Sequence, residues 1–251
     1  MSDKPATAPM TRAETIALVL LTLSQLVLFL IPLIVLGQAI GWPASLRLPA
    51  NQALPLVAAN PIAIQIGYWG YLLTAVAMVP FGIALRRFAM AHGAGGMLAD
   101  TMAAFAIAAG ILKTLGIVRW LTTMPMLADL YVATSDAAIR SIIEINYMTL
   151  NAYAGGVGEL LGVQLVSGLW LILLGLVFRK LGMRINAIIS VALGIAFALT
   201  AIRTMVPALN ALNAAVPPFA LVWLAALAVT FWRRTSGSGA EETRKHAPCD
   251  A

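Results

Sequence analysis

Residues 146–179 read NYMTLNAYAGGVGELLGVQLVSGLWLILLGLVFR. From Ala154 onward the run is apolar over a length that spans lipid, and it carries one carboxylate, Glu159, set among Gly155, Gly156, Gly158 and Gly162. Glycine costs a soluble helix about 1 kcal/mol per residue relative to alanine, so such a cluster needs a reason, and close backbone contact between helices in lipid supplies one. Ala154, Gly158 and Gly162 fall at i, i+4 and i+8, which draws a smooth groove down one side. Glu159 borders that groove, with Asn151, Gly155 and Gly162 on its face at helical spacing. A carboxylate in that position is expensive and must find a partner.

The rest of the chain has the same character. Hydrophobic residues make up 61% and charged ones only 10%, with a mean hydropathy of +0.91, far above the apolar share of a soluble domain. Apolar runs of about twenty residues recur and strand-like alternation is absent, so the chain is predicted to be an all-α, polytopic membrane bundle rather than a barrel. The net charge of +6 does not point to nucleic acid, because the basic residues stand at helix ends, where headgroups and the insertion machinery read them. Cys249 is the single cysteine, and His92 and His246 are the only histidines. That scarcity excludes a disulfide framework, a bis-histidine haem, a zinc protease of the His-Glu-x-x-His type and a di-iron bundle; no cofactor, metal ligand set or catalytic residue is assigned.

Residues 1–13 are polar and read as a disordered leader, and 235–251 as a disordered tail. Between them, 14–234 form one transmembrane domain with spans at about 15–40, 62–85, 98–122, 154–178, 185–206 and 216–232, with Pro32 and Pro80 as kink sites and Pro125 as the stop after the third span. The proline-rich stretch 42–61 reads as an ordered loop with an interfacial turn. In 129–146, Asp136, Arg140 and Glu144 recur at i, i+4 and i+8 opposite Ile139, Ile142 and Ile143, an amphipathic helix on the membrane surface or an outward extension of the next span. With the N-terminus inside, the cytoplasmic segments hold eleven Lys and Arg and the outer loops two, Arg47 and Arg140, which predicts both termini in the cytoplasm.

Counting from the cytoplasmic helix ends at about 1.5 Å per residue puts Glu159, Arg119 and Arg203 all at roughly 30 Å, the outer edge of the hydrocarbon layer. The leading expectation is a buried ion pair between Glu159 and Arg119, with Arg203 as the alternative partner or else snorkelling to the headgroups. Lys113 lies about 9 Å deeper. With no acid at its depth, it must lean toward the Glu159 layer, sit in a wet cavity or lose its proton. Lys113, Arg119, Asn151, Glu159 and Arg203 are the candidate ligand-binding residues, and their excess of cations suits a small anionic or lipidic ligand. Gly155, Gly158 and Gly162 are the candidate packing residues. Gln25, Gln65 and Gln164 read as interhelical hydrogen bonds, and Trp120, Trp170 and Trp223 as packing anchors.

The third span and its continuation, GILKTLGIVRWLTTMPMLADLY, and then NAYAGGVGELLGVQLVSGLW, resemble a widespread family of uncharacterised bacterial multi-pass membrane proteins, a domain of unknown function. The motif is an Arg-Trp followed by a proline and Leu-Ala, here Arg119, Trp120, Pro125, Leu127 and Ala128. A Gly-Glu followed by a second glycine and Leu-Trp completes it, here Gly158, Glu159, Gly162, Leu169 and Trp170. The resemblance covers roughly residues 15–232. Relatives carry a histidine before the Gly-Glu helix or just after the Glu, where this chain has Asn151 and Leu160. The resemblance implies the architecture and no activity. The functional expectation is therefore a non-enzymatic membrane protein that binds such a ligand or regulates a membrane-protein partner, with a secondary transporter or an intramembrane lipid-modifying enzyme built on Glu159 and Lys113 as alternatives.

Overall fold

The fold comes from a computed structural model that describes residues 8–245, with side chains described from 8 to 234. Of the disordered ends expected at 1–13 and 235–251, residues 1–7 and 246–251 lie outside those described, while 12–13 begin the first helix and 235–245 continue the last one. Thr11 opens α1 (Arg12–Ile40) with a reciprocal cap: its side chain accepts from the Glu14 N–H, and Glu14 accepts from the Thr11 N–H. Glu14 also takes Arg87 Nε at 2.9 Å, which ties the start of α1 to the end of α3 (Pro61–Ala91). Pro32 and Pro80 sit inside α1 and α3, and both helices run on through them.

Between these two helices, residues 44–47 make a 3₁₀ turn and α2 (Ala50–Ala59) a short helix. Then come α4 (Met97–Ile117), a 3₁₀ turn at Val118–Trp120, α5 (Thr123–Ala133) and α6 (Ala137–Gly155). A π-helical segment, Gly156–Val166, joins α6 to α7 (Ser167–Lys180), and α8 (Arg184–Thr200) and α9 (Leu209–Lys245) complete the described chain. Pro125, expected to stop the third span, instead lies in the first turn of α5, where its missing N–H has no helical partner to lose. The helix before it has already ended at Ile117.

Among the described residues, five helical stretches are long and apolar enough to cross a membrane: Arg12–Ile40, Pro61–Ala91, Met97–Ala133, Ala137–Lys180 and Leu209–Arg234. A shorter apolar helix, Arg184–Thr200, accompanies them. The molecule is a helical membrane bundle. Each of these packs on the next in chain order: α1 on α3, α3 on α4, α4 on the π segment and α7, α7 on α8, and α8 on α9. Contact of α9 with α1 closes the ring. Small residues set the closest crossings. A Cβ on Gly168 would stand 2.7 Å from the Gly194 carbonyl oxygen, so α7 and α8 can touch backbone to backbone only while both positions are glycine.

Buried side chains form two groups. One, around Phe81, Phe88, Phe178 and Phe231, fills the bundle toward the Arg87 end. The other, around Tyr68, Trp120, Met124 and Tyr147, joins α2 and α5 to the opposite end of α3 and α6. Trp120, Trp170 and Trp223 are all buried, as packing anchors should be. The candidate site lies beside the second group.

Candidate functional site

The π segment is the local cause of the site. Its hydrogen bonds run from i to i+5 rather than i+4, and Ser167 Oγ repeats that offset by donating to the Gly162 carbonyl at 2.7 Å. Such stretches are rare and concentrate at functional positions. Gly158 presses on α4, where a Cβ would lie 2.7 Å from the Gly116 Cα, so the two backbones meet with no side chain between them. Gly162 does the same against the Lys113 N–H, at 2.9 Å. The altered pitch also redraws the faces. Asn151 and Gly155, still on α6, share a surface with Glu159 as α-helical spacing predicts. Gly162, past the change of pitch, turns away onto α4 instead.

The expected Glu159–Arg119 pair is not formed. Glu159 Oε1 accepts from Arg203 Nη2 at 2.9 Å, and the Arg203 side chain is only 15% exposed, so it does not snorkel. The reason lies at the two helix ends. Because α8 stops at Thr200, Arg203 sits in the turn beyond it and reaches back to the π segment against which α8 packs. Because α4 stops at Ile117, Arg119 sits in a 3₁₀ turn, and its guanidinium folds back on its own chain. Arg119 Nη1 donates to the Gly116 carbonyl, and Nη2 to Asn151 Oδ1 at 3.2 Å. The guanidinium also lies 5.5 Å from the Trp120 ring centroid, and Trp120 stacks on Tyr68 at 5.0 Å. Gly155 is needed here for a different reason from Gly158: its missing Cβ would stand 3.3 Å from Arg119 Nη2. It makes room for a cation, not for a helix.

Asn151 is engaged at both ends of its amide. It accepts from Arg119, and Nδ2 donates to the Leu46 carbonyl at 3.1 Å, so the 3₁₀ turn at 44–47 is tied to the same site. Arg119 Nε is buried and has no hydrogen-bond partner among the described residues.

Arg119, Asn151, Glu159 and Arg203 together line one cavity of about 210 Å³, with Leu46, Ala152, Gly155, Gly156 and Leu160 completing its wall. Lys113, the fifth sequence candidate, does not reach this cavity, and its side chain makes no hydrogen bond or ion pair among the described residues. Sequence reasoning also passed over Leu46 and Leu160. Leu160 follows Glu159 directly, but a face drawn with a 3.6-residue period places it elsewhere. Leu46 comes from a turn whose position depends on contacts far along the chain.

The fold and cavity define a class: a helical membrane protein with a small, mixed-charge pocket between its helices. Within that class the chain belongs to the family described as Domain of unknown function (DUF4386), whose model matches residues 17–233. The expected membership of a family of unknown function is thereby borne out. No curated protein and no solved structure matches the chain.

Proposed function

We propose that this is a membrane protein that binds a small anionic group, of the phosphate type, in the Arg119–Glu159–Arg203 cavity. In this reading α8 is a sixth crossing, both termini face the cytoplasm of a bacterial inner membrane, and the cavity opens toward the outer headgroups. One observation carries it: Glu159 is paired with Arg203, while Arg119 faces the same cavity with no carboxylate partner among the described residues. A guanidinium stays protonated in any protein environment, so the cavity holds one cation more than its anions. Its N–H groups outnumber the two acceptors it has found, and a planar fork of donors suits phosphate oxygens.

An enzyme using Glu159 as a base would need it free, and the ion pair with Arg203 holds it. The transporter reading has no observation of its own. The test is thermal unfolding of the purified protein in neutral detergent with added anionic phospholipid, zwitterionic phospholipid or inorganic phosphate. An anionic phosphate group should raise the midpoint, and Arg119→Gln should abolish the rise. A midpoint that ignores all three additions, or an unchanged response in Arg119→Gln, refutes the reading.

A further inference from the structure

Resting on that reading of the cavity, we infer its ligand class: a phosphodiester with a single negative charge whose head carries a free hydroxyl, as in a glycerol phosphodiester. Charge decides the first part. The Arg203–Glu159 pair is neutral as a unit and Arg119 adds one positive charge, so a ligand with one negative charge neutralises the cavity. A zwitterion leaves the excess as it was, and a dianionic phosphate monoester reverses it. Uncompensated charge at a lipid-facing site is costly because nearby water is scarce.

Hydrogen-bond inventory decides the second part. Glu159 Oε1 takes Arg203, whereas Oε2 accepts nothing among the described residues, and the side chain, which lines the cavity, is 37% exposed. A ligand hydroxyl can donate to that oxygen in a charge-assisted bond without adding charge. An ammonium could donate there too, but it would place a second cation on a carboxylate that already holds one. Asn151 already holds Arg119 with its oxygen and the Leu46 carbonyl with its nitrogen, which makes it a positioning residue for Arg119.

Size and surroundings fit a head group. About 210 Å³ is smaller than the roughly 300–1,000 Å³ of sites that enclose a drug-sized molecule, but it admits a phosphate and a short polyol. Leu160, on the cavity wall, is 36% exposed, and Leu161 and Leu165 continue an exposed apolar strip along the π segment. That strip is where acyl chains would lie if the phosphodiester belongs to a lipid.

The experiment is native mass spectrometry of the full-length protein in detergent with four probes: phosphatidylglycerol, phosphatidylethanol (one negative charge, no hydroxyl), phosphatidylethanolamine (zwitterionic) and soluble glycerophosphoglycerol. Phosphatidylglycerol should bind about tenfold tighter than phosphatidylethanol, as expected for one charge-assisted hydrogen bond, with phosphatidylethanolamine weakest. Glycerophosphoglycerol binding as tightly as the lipid would assign the class to a free solute, and weaker binding would assign it to the lipid. The variant Glu159→Met/Arg203→Met removes acceptor and cation together and keeps the net charge. In that variant the ratio of phosphatidylglycerol to phosphatidylethanol binding should fall to about one, whatever the absolute affinity of either. Glu159→Leu/Arg203→Leu serves if the first variant does not fold. Equal binding of phosphatidylglycerol and phosphatidylethanol in the native protein, or a preference that survives in the pair variant, overturns the inference while leaving the anion site standing. Equal binding of all three lipids overturns the anion site itself.

Discussion

Arg119 and Arg203 have the same side chain and sit just past helix ends, yet one is neutralised by a carboxylate and the other is held by neutral oxygens. That difference is measurable. Glu159→Gln and Arg203→Gln should each lower the thermal stability of the detergent-solubilised protein, because each leaves a partner charge bare in a low-dielectric site, and the double variant should recover much of the loss. The coupling should be about 0.5–3 kcal/mol, toward the lower end because Glu159 is partly exposed. The cycle between Glu159→Gln and Arg119→Gln should give a clearly smaller coupling; if it is the larger of the two, the pairing of Glu159 with Arg203 is wrong. Asn151→Ala should cost about 2 kcal/mol, since it removes an acceptor from a charged donor and the link to the Leu46 carbonyl. An unchanged melting temperature would show that Arg119 does not depend on that tether.

At the scale of the element, the π segment separates two kinds of glycine. A methyl on Gly156 meets nothing within 4 Å, whereas one on Gly158 would collide with Gly116. Gly156→Ala should therefore be neutral or stabilise by up to about 1 kcal/mol, and Gly158→Ala should destabilise by about 1–3 kcal/mol in the same thermal assay. Leucine at Gly158 or Gly162 should be worse than leucine at Val163, because both glycines abut α4. Equal effects at all these positions would rule out the close crossing. The membrane class and the packing role of Gly158 were legible in the sequence, because apolar run length and small-residue spacing report them directly; the family was legible only as a resemblance. The partner of Glu159 was not. Depth counting assumes helices that stay α-helical to their predicted ends, and here α4 and α8 stop at Ile117 and Thr200 while the helix carrying Glu159 changes pitch at Gly156. Depth fixed which charges could meet; the helix ends fixed which did.

For the whole molecule, the closed order α1, α3, α4, α7, α8, α9 places chain neighbours side by side, as short connections demand. In the proposed six-crossing topology each crossing reverses direction, and Arg86, Arg87, Arg179, Lys180 and Arg184 fall in the cytoplasmic connections. Arg86 and Arg87 are bound to Asp100 at 2.6 Å and Glu14 at 2.9 Å, which fastens α1, α3 and α4 together. Single cysteines introduced after replacing Cys249 test the reading in intact cells with a membrane-impermeant thiol reagent. Ser135→Cys and Pro207→Cys should label from outside, and His92→Cys and Arg184→Cys only after the membrane is broken. Labelling of His92→Cys from outside would invert the topology. Labelling of the Pro207 and Arg184 positions on one side would show that α8, only 17 residues long, does not cross, and the cavity built on Arg203 would then have to open elsewhere.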